Sequence, residues 1–411
     1  MKTINYKQIP QFLLWGVVVC FICVACEEYP DAYKATKGIP EVKYVRIPNA
    51  ASADSLLDGA FLGNTICIVG SNLRSVHELY FNDQKAILNT SMITDHTLIV
   101  TVPSQIPVDV TDNMYLVTLA GDKVAYPFKS KVPAPMVSSI SCEYAPDGGE
   151  AILYGDYFID DPNVPLKITM AGNIPVTEIL DIQKMQVRFV VPQGAQKGYL
   201  NVETIYGTGR SHFQFRDDRG MILDWDNLNA NGGWRPGILA EEGGISGKYV
   251  VFKGSLSADL SDWGDETAFS FNLWGVANGR PNEDFFDATD LDNLVFKFEI
   301  NILTPWSCKA MQIVFTSWDT QGTNSYYGDA SYPRGLWMPW TATGSYQTDG
   351  WITVSIPMSN FKYAGDGKGL DKPNGAGFYG GLSMFVWHGG ILGTACSTEM
   401  WIDNIRVVPV E

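Results

Sequence analysis

Two stretches of this 411-residue chain, each about 85 residues long, carry the same landmarks in the same order. In the first, Thr65-Ile66-Cys67-Ile68-Val69-Gly70-Ser71-Asn72-Leu73 is followed by Thr97-Leu98-Ile99-Val100-Thr101-Val102-Pro103 and then Tyr115-Leu116-Val117-Thr118. In the second, Ala151-Ile152-Leu153-Tyr154-Gly155-Asp156-Tyr157-Phe158 is followed by Met185-Gln186-Val187-Arg188-Phe189-Val190-Val191-Pro192 and then Tyr199-Leu200-Asn201-Val202-Glu203. Each copy is a series of short alternating runs that stop at Pro or Gly, the pattern of a small antiparallel sandwich. Between them, Lys131-Val132-Pro133-Ala134-Pro135 reads as a stiff extended linker.

Composition extends that reading to the whole chain. With 40 Gly, 22 Pro, 12% aromatic and only 18% charged residues, the sequence suits short strands joined by tight turns, and its length allows several domains. The fold class expected is all-β. Net charge is −16, and the first 25 residues hold Lys2 and Lys7 but no acid, so the rest carries 29 − 2 = 27 basic against 45 acidic residues, or −18. A phosphate backbone would be repelled, and no basic stripe is present, so nucleic acid is excluded as a partner. Polyanionic glycans are disfavoured on the same ground.

Residues 1–25 read as a secretory signal: Lys2 and Lys7, then an apolar run from Phe12 to Cys23, then the small residues Val24 and Ala25. The run is short for a bilayer span, which needs about 20 residues. Cleavage before Cys26 would leave an N-terminal Cys for diacylation, as in bacterial lipoproteins, so Cys26 is the expected lipidation site. Glu27, Glu28 and Asp31 resemble the acidic tether with which Bacteroidetes lipoproteins are displayed on the outer leaflet, and residues 26–40 as a whole read as an extended linker. Of the remaining cysteines, Cys67, Cys142, Cys308 and Cys396, only the last two fall in one module, where they are either a pair or buried free thiols.

Tryptophan is distributed unevenly: of 12, one lies in the leader and 11 lie between Trp225 and Trp401, with none in either repeat. Each ring brings roughly 150–250 Å² of surface and an N–H that needs a partner, so one core cannot take them all. Sugar rings supply a reason for exposed ones. The axial C–H face of a pyranose stacks on an indole or phenol, and its hydroxyls seek neutral polar groups.

Strand alternation sorts the rings, because residues two apart share a face. In Phe269-Ser270-Phe271-Asn272-Leu273-Trp274 the apolar face is Phe269, Phe271 and Leu273, which leaves Trp274 with Ser270 and Asn272. In the run from Met311 to Trp318 the core face is Met311, Ile313 and Phe315, and Trp318 shares the other face with Gln312 and Thr316. Trp387 lies with Ser383 but also with Phe385, a more ambiguous face. Trp306, in Thr304-Pro305-Trp306-Ser307, is expected on a loop, and Tyr326, Tyr327, Trp337 and Trp340 on the long Gly/Pro/Ser-rich segment from Asp319 to Gly350. The candidate glycan-binding residues are therefore Trp274, Trp306, Trp318, Tyr326, Tyr327, Trp337 and Trp340. Trp225, Trp351 and Trp401 read as structural.

The landmarks of the repeats resemble the immunoglobulin-like IPT/TIG domain, through a strand closing on G-x-N/Y, a strand ending in Val-Pro, and a strand leading into a turn with Gly121 or Gly207. The closing run from Gly381 to Val407 resembles the last strands of jelly-roll carbohydrate-binding modules. The stretch Arg334-Gly335-Leu336, Pro339-Trp340 and Thr348-Asp349-Gly350-Trp351-Ile352-Thr353-Val354-Ser355-Ile356-Pro357 resembles the C-terminal glycan-binding domain of B-type surface glycan-binding proteins from Bacteroidetes polysaccharide utilisation loci. That resemblance implies a signal peptide at 1–25, a lipidated linker at 26–40, Ig-like domains at 41–131 and 132–216, and a jelly-roll β-sandwich at 217–411. It implies a non-catalytic outer-membrane lipoprotein without a cofactor, displayed at the cell surface. Such a protein captures a neutral polysaccharide, most simply a β-glucan such as xyloglucan, mixed-linkage or β-1,3-glucan, for a TonB-dependent transporter and its lid protein.

Two other functions are weaker. A glycoside hydrolase needs two carboxylates flanking the scissile bond. Asp262, Asp265, Glu283, Asp284, Asp319 and Asp329 are available, but no E-x-D-x-x-E strand occurs. No G-x-S-x-G elbow, C-x-x-C or H-E-x-x-H pattern accompanies the four histidines. Asp224, Asp226 and Asp403 suit a hard cation by type, yet solvated surface acids are the simpler reading, and no metal site is assigned. The third function is a protein-binding adhesin, since aromatic residues also enrich protein interfaces.

Overall fold

A computed structural model describes residues 35–52, 54–230, 237–259, 270–274, 280–318 and 331–410. Residues 1–34, with Cys26, lie outside them, as do Tyr326 and Tyr327. The chain is all-β: two tandem Ig-like sandwiches are followed by a larger jelly-roll sandwich. The chain divides into one compact unit up to Pro133 and a second from Ala134 onward.

In the first unit, strands Glu41–Arg46, Thr65–Ser71 and Thr97–Thr101 form one sheet, and Val76–Phe81 with Asn113–Thr118 centre the other. Ile66, Ile68, Leu79, Leu98, Leu116 and Phe81 fill the space between them. The second sandwich repeats the plan. Met136–Ile140, Glu150–Asp156 and Gln186–Val190 pair in one sheet, Lys167–Ala171 and Gln196–Thr204 in the other, around Val137, Leu153, Ile168, Val187, Phe189 and Val202.

The G-x-N/Y landmark has the same physical cause in both copies. Gly70 and Gly155 each face the preceding strand where its register shifts, and a Cβ there would collide with the carbonyl of Glu41 or Met136. Two residues on, Asn72 and Tyr157 adopt left-handed backbone, φ 57° and 59°, which turns the chain and buries Leu73 and Phe158.

Within the second unit, the third sandwich has ten strands among the described residues: β1 (Met221–Leu223), β2 (Ile238–Ala240), β3 (Tyr249–Leu256), β4 (Ser270–Trp274), β5 (Leu294–Ile302), β6 (Ala310–Thr316), β7 (Arg334–Trp337), β8 (Ile352–Pro357), β9 (Gly381–Trp387) and β10 (Cys396–Pro409). One sheet runs β2-β3-β10-β5-β8, with β1 also on β10, and the other runs β4-β9-β6-β7. Between them lies a core of Phe296, Phe298, Ile300, Met311, Ile313, Phe315, Phe361, Met384, Ile402 and Ile405. At 25 cal/mol per Å², each such side chain contributes about 1.5–3 kcal/mol. The pairing leaves the second face of the β4-β9-β6-β7 sheet directed away from this core.

Candidate functional site

Strand register assigns that second face residue by residue. Trp274, Gly381 and Thr316 form one cross-strand row; Asn272, Ser383, Val314 and Arg334 form the next; Ser270, Phe385, Gln312 and Leu336 the third; Trp387 and Ala310 the last. The alternating residues Leu273, Leu382, Met384, Met311, Ile313 and Phe315 are buried in the main core, as their spacing predicts. For Trp274 the strand position is described and the side chain is not.

The face is not the open platform that alternation alone suggests. Val314 and Phe385 form a small buried cluster of their own, against which Tyr332 and Trp387 pack. Gln312 and Arg334 have no exposed surface, and Thr316 and Ser383 are 2% exposed. Arg334 Nη1 donates to Gln312 Oε1 at 2.7 Å. Gln312 Nε2 and Thr316 Oγ1 are buried with no hydrogen-bond partner among the described residues. A buried donor left this way costs about 1–3 kcal/mol, so it implies a water or ligand group.

The accessible groups lie at the two ends. Trp318, in the turn two residues beyond β6, is half-buried against the Gly380-Gly381 backbone, where a Cβ on Gly380 would fall 2.5 Å from its own Cβ. At the other end Trp387 is half-buried with its ring centroid 3.7 Å from that of His388. The Gly390 N–H donates to His388 Nδ1 at 3.2 Å. Burial, with Lys309 and Arg334 nearby, lowers the His388 pKa and keeps the ring neutral at pH 7. Past Leu336 the face opens into a cleft of about 250 Å³ lined by Leu336, Met338, Tyr363, Asp366, Lys368 and Ile391. None of the row positions carries a carboxylate.

Three expected loop tryptophans lie elsewhere. Trp306 is completely buried. Its segment is not a free loop but pairs with Tyr346 through reciprocal backbone hydrogen bonds of 2.9 and 2.8 Å, and its Nε1–H donates to the Cys308 carbonyl at 2.5 Å. Trp340 is 4% exposed, because the 3₁₀ turn Pro339–Ala342 folds it inward so that Nε1–H reaches the Lys309 carbonyl at 2.8 Å. Trp337 is a residue of β7, opposite Met311 on the core side, with its ring against Phe298, Trp306 and Tyr346. It is half-buried. Trp306 and Trp340 are thus structural and cannot form a stacking surface in this fold.

Arg334, buried in the second row with its guanidinium on Gln312, was not among the residues that the sequence singled out for this face. Of the acids considered for a cation, Asp224 Oδ1 accepts the backbone N–H groups of Asp226, Asn227 and Leu228, and Asp403 accepts from Ser246 Oγ and the Asn404 N–H.

A family model described as the surface glycan-binding protein B xyloglucan binding domain matches residues 215–409. The crystal structure of the surface glycan-binding protein PbSGBP-B from Prevotella bryantii is 33% identical, with a TM-score of 0.77, and the match covers 91% of this chain and 100% of that one. An IPT/TIG domain-containing protein from Bacteroides ovatus is 26% identical, across 99% of this chain and 100% of its own length.

Proposed function

Because the chain belongs to the surface glycan-binding protein B family, we propose that it binds a neutral β-glucan, of which xyloglucan is the first choice, on the second face of the β4-β9-β6-β7 sheet. The observation that carries this reading is the composition of that face: neutral amide and hydroxyl groups in rows around the buried Arg334, tryptophans toward both ends, and no carboxylate at the described row positions. Pyranose faces stack on Trp318 and Trp387, and on Trp274 at the head of its row. Gln312 and Thr316, which have almost no exposed surface, serve sugar hydroxyls through a bridging water. Tyr326 and Tyr327, in the segment after Trp318, are candidates for the same stacking.

With no carboxylate at the described row positions, the reading is one of binding rather than hydrolysis. Acylated at Cys26, the protein would be held on the outer membrane and hand its glycan to a TonB-dependent transporter and lid protein. The test is isothermal titration of the chain against xyloglucan, mixed-linkage glucan, β-1,3-glucan, mannan, xylan and fructan. Saturable heat with a β-glucan, lost in Trp318→Ala without a fall in melting temperature, is expected. Silence across the panel would overturn the reading and favour a protein ligand.

A further inference from the structure

Cys308 and Cys396 stand 88 residues apart in sequence, yet their Sγ atoms lie 3.7 Å apart. Cys308 leads into β6 from Trp306, and Cys396 opens β10. The two segments already run side by side. Cys308 bridges Gly393 in antiparallel register, the Thr394 N–H donates to the Ser307 carbonyl at 2.8 Å, and Ser307 Oγ donates to the Thr394 carbonyl at 2.8 Å. Bonded sulfurs sit about 2.0 Å apart, so closure needs a shift of roughly 1.7 Å, within reach of a side-chain adjustment.

The partners are also unequal in the way thiol chemistry uses. Cys396 is half-buried and reachable, whereas Cys308 is completely buried, with its thiol near the Leu256 and Ser257 carbonyls. Hydrogen bonding from the Cys308 thiol, then from the Ser307 N–H, lowers the Cys396 pKa below that of an ordinary thiol, and its accessibility makes Cys396 the attacking thiolate. The other described cysteines, Cys67 and Cys142, are buried in the two Ig-like sandwiches.

We infer that Cys308 and Cys396 form a dithiol that closes to a disulfide when the protein meets a disulfide donor outside the reducing cytosol. Surface proteins fold where such donors, small disulfides or thiol oxidoreductases, are at hand. Cys396 Sγ attacks one sulfur of the donor and expels the other as a thiolate. Cys308 then gives up its proton, attacks Cys396 Sγ, and expels the second donor thiolate. Two protein thiols are oxidised and one donor disulfide is reduced to two thiols.

The bond would fasten the turn before β10 to the core. Gly393 lies against Trp340, where a Cβ would fall 2.8 Å from Cη2, and Ile391 of the same turn walls the cleft beyond Leu336.

The experiment begins with the chain purified in reductant and then incubated with oxidised glutathione. Free thiols are blocked with iodoacetamide, and the protein is digested without reductant for peptide mass spectrometry. The expected product is a Cys308–Cys396 peptide pair two hydrogens lighter than the sum of its parts, with a melting temperature ~5–10 °C above the reduced form. Cys396→Ser should melt alike in both buffers. Separate alkylation of both cysteines, a glutathione adduct stranded on Cys396, or a crosslink to Cys67 or Cys142 would overturn the inference, and each is read on the unmutated chain.

Discussion

Arg406 of β10 and Glu143 of the second Ig-like sandwich, 263 residues apart, form a buried ion pair with Nη2 2.7 Å from Oε2. Arg406 also holds Glu299 through both terminal nitrogens, at 2.7 and 3.0 Å, and Lys297 Nζ closes on the other Glu143 oxygen at 2.5 Å. Thr353 Oγ1 donates to Glu299 and accepts from the Glu143 N–H. Four charges are thus shared between two sandwiches of one compact unit, with every carboxylate oxygen bonded.

Removing one member should cost far more than a surface ion pair. An isolated Arg406 in that site would be a buried charge with half its counter-charge gone, and breaking such pairs costs about 3–5 kcal/mol. Glu143→Ala is expected to lower the unfolding free energy of the second unit by that amount. Glu78→Ala, which breaks a pair with the half-exposed Lys85 in a solvent-screened position, should change stability far less. Urea melts of the two variants distinguish the cases, and equal effects would mean the buried network contributes little.

A second consequence concerns pH. Burial, with Glu299 and Asp226 adding negative field, raises the Asp403 pKa to about 7. In the unfolded chain an Asp titrates near ~3.9. Between those values the folded state keeps a proton that the unfolded state has released, so stability falls as pH rises from about 4 to 7. Asp403→Asn keeps an acceptor for the Asn404 N–H and a partner for Ser246, and should flatten that slope. At about 1.4 kcal/mol per pH unit over roughly three units, the variant is expected to be about 3–4 kcal/mol more stable than the parent at pH 8 and equal to it at pH 4. A parallel offset at all pH values would remove Asp403 as the cause.

The sequence made strand faces readable wherever a period of two ran for several residues. Met311, Ile313 and Phe315 turn inward as their spacing requires, and Gly70 and Gly155 mark equivalent strand ends because both repeats bring a carbonyl against them. It did not reveal Trp306 or Trp340. Their burial depends on Tyr346 and on the Lys309 carbonyl, tens of residues away, and no local period encodes such contacts. Trp337 was obscured because β7 is only four residues long within a Gly-rich stretch. The Arg406–Glu143 pair was beyond sequence reading for the same reason, since an acid in one sandwich says nothing about a cation in another.

Trp306 and Trp318 should therefore respond differently to truncation. Trp306→Ala empties a fully enclosed site beside Trp337 and is expected to cost about 3–5 kcal/mol of stability. Trp318→Ala should leave the melting temperature within ~2 °C and weaken glycan binding tenfold or more. Thermal melts paired with titrations decide this. Loss of stability in Trp318→Ala would make it a packing residue as well.

Thr316 offers the finest test of the face itself. Its hydroxyl is buried, lies over Gly381, and has no partner among the described residues, so the folded protein bears a desolvation cost with nothing returned. Thr316→Val preserves shape and removes only the polar atom. If the hydroxyl serves a sugar or the water bridging to one, the variant should be as stable as the parent or about 1 kcal/mol more so, and bind glycan about three- to tenfold more weakly. If it serves a structural water alone, stability should fall and affinity should stay. Gln312→Met is a less selective probe, because it also removes one acceptor of Arg334, at 2.7 Å, and should destabilise the protein whichever role the amide has.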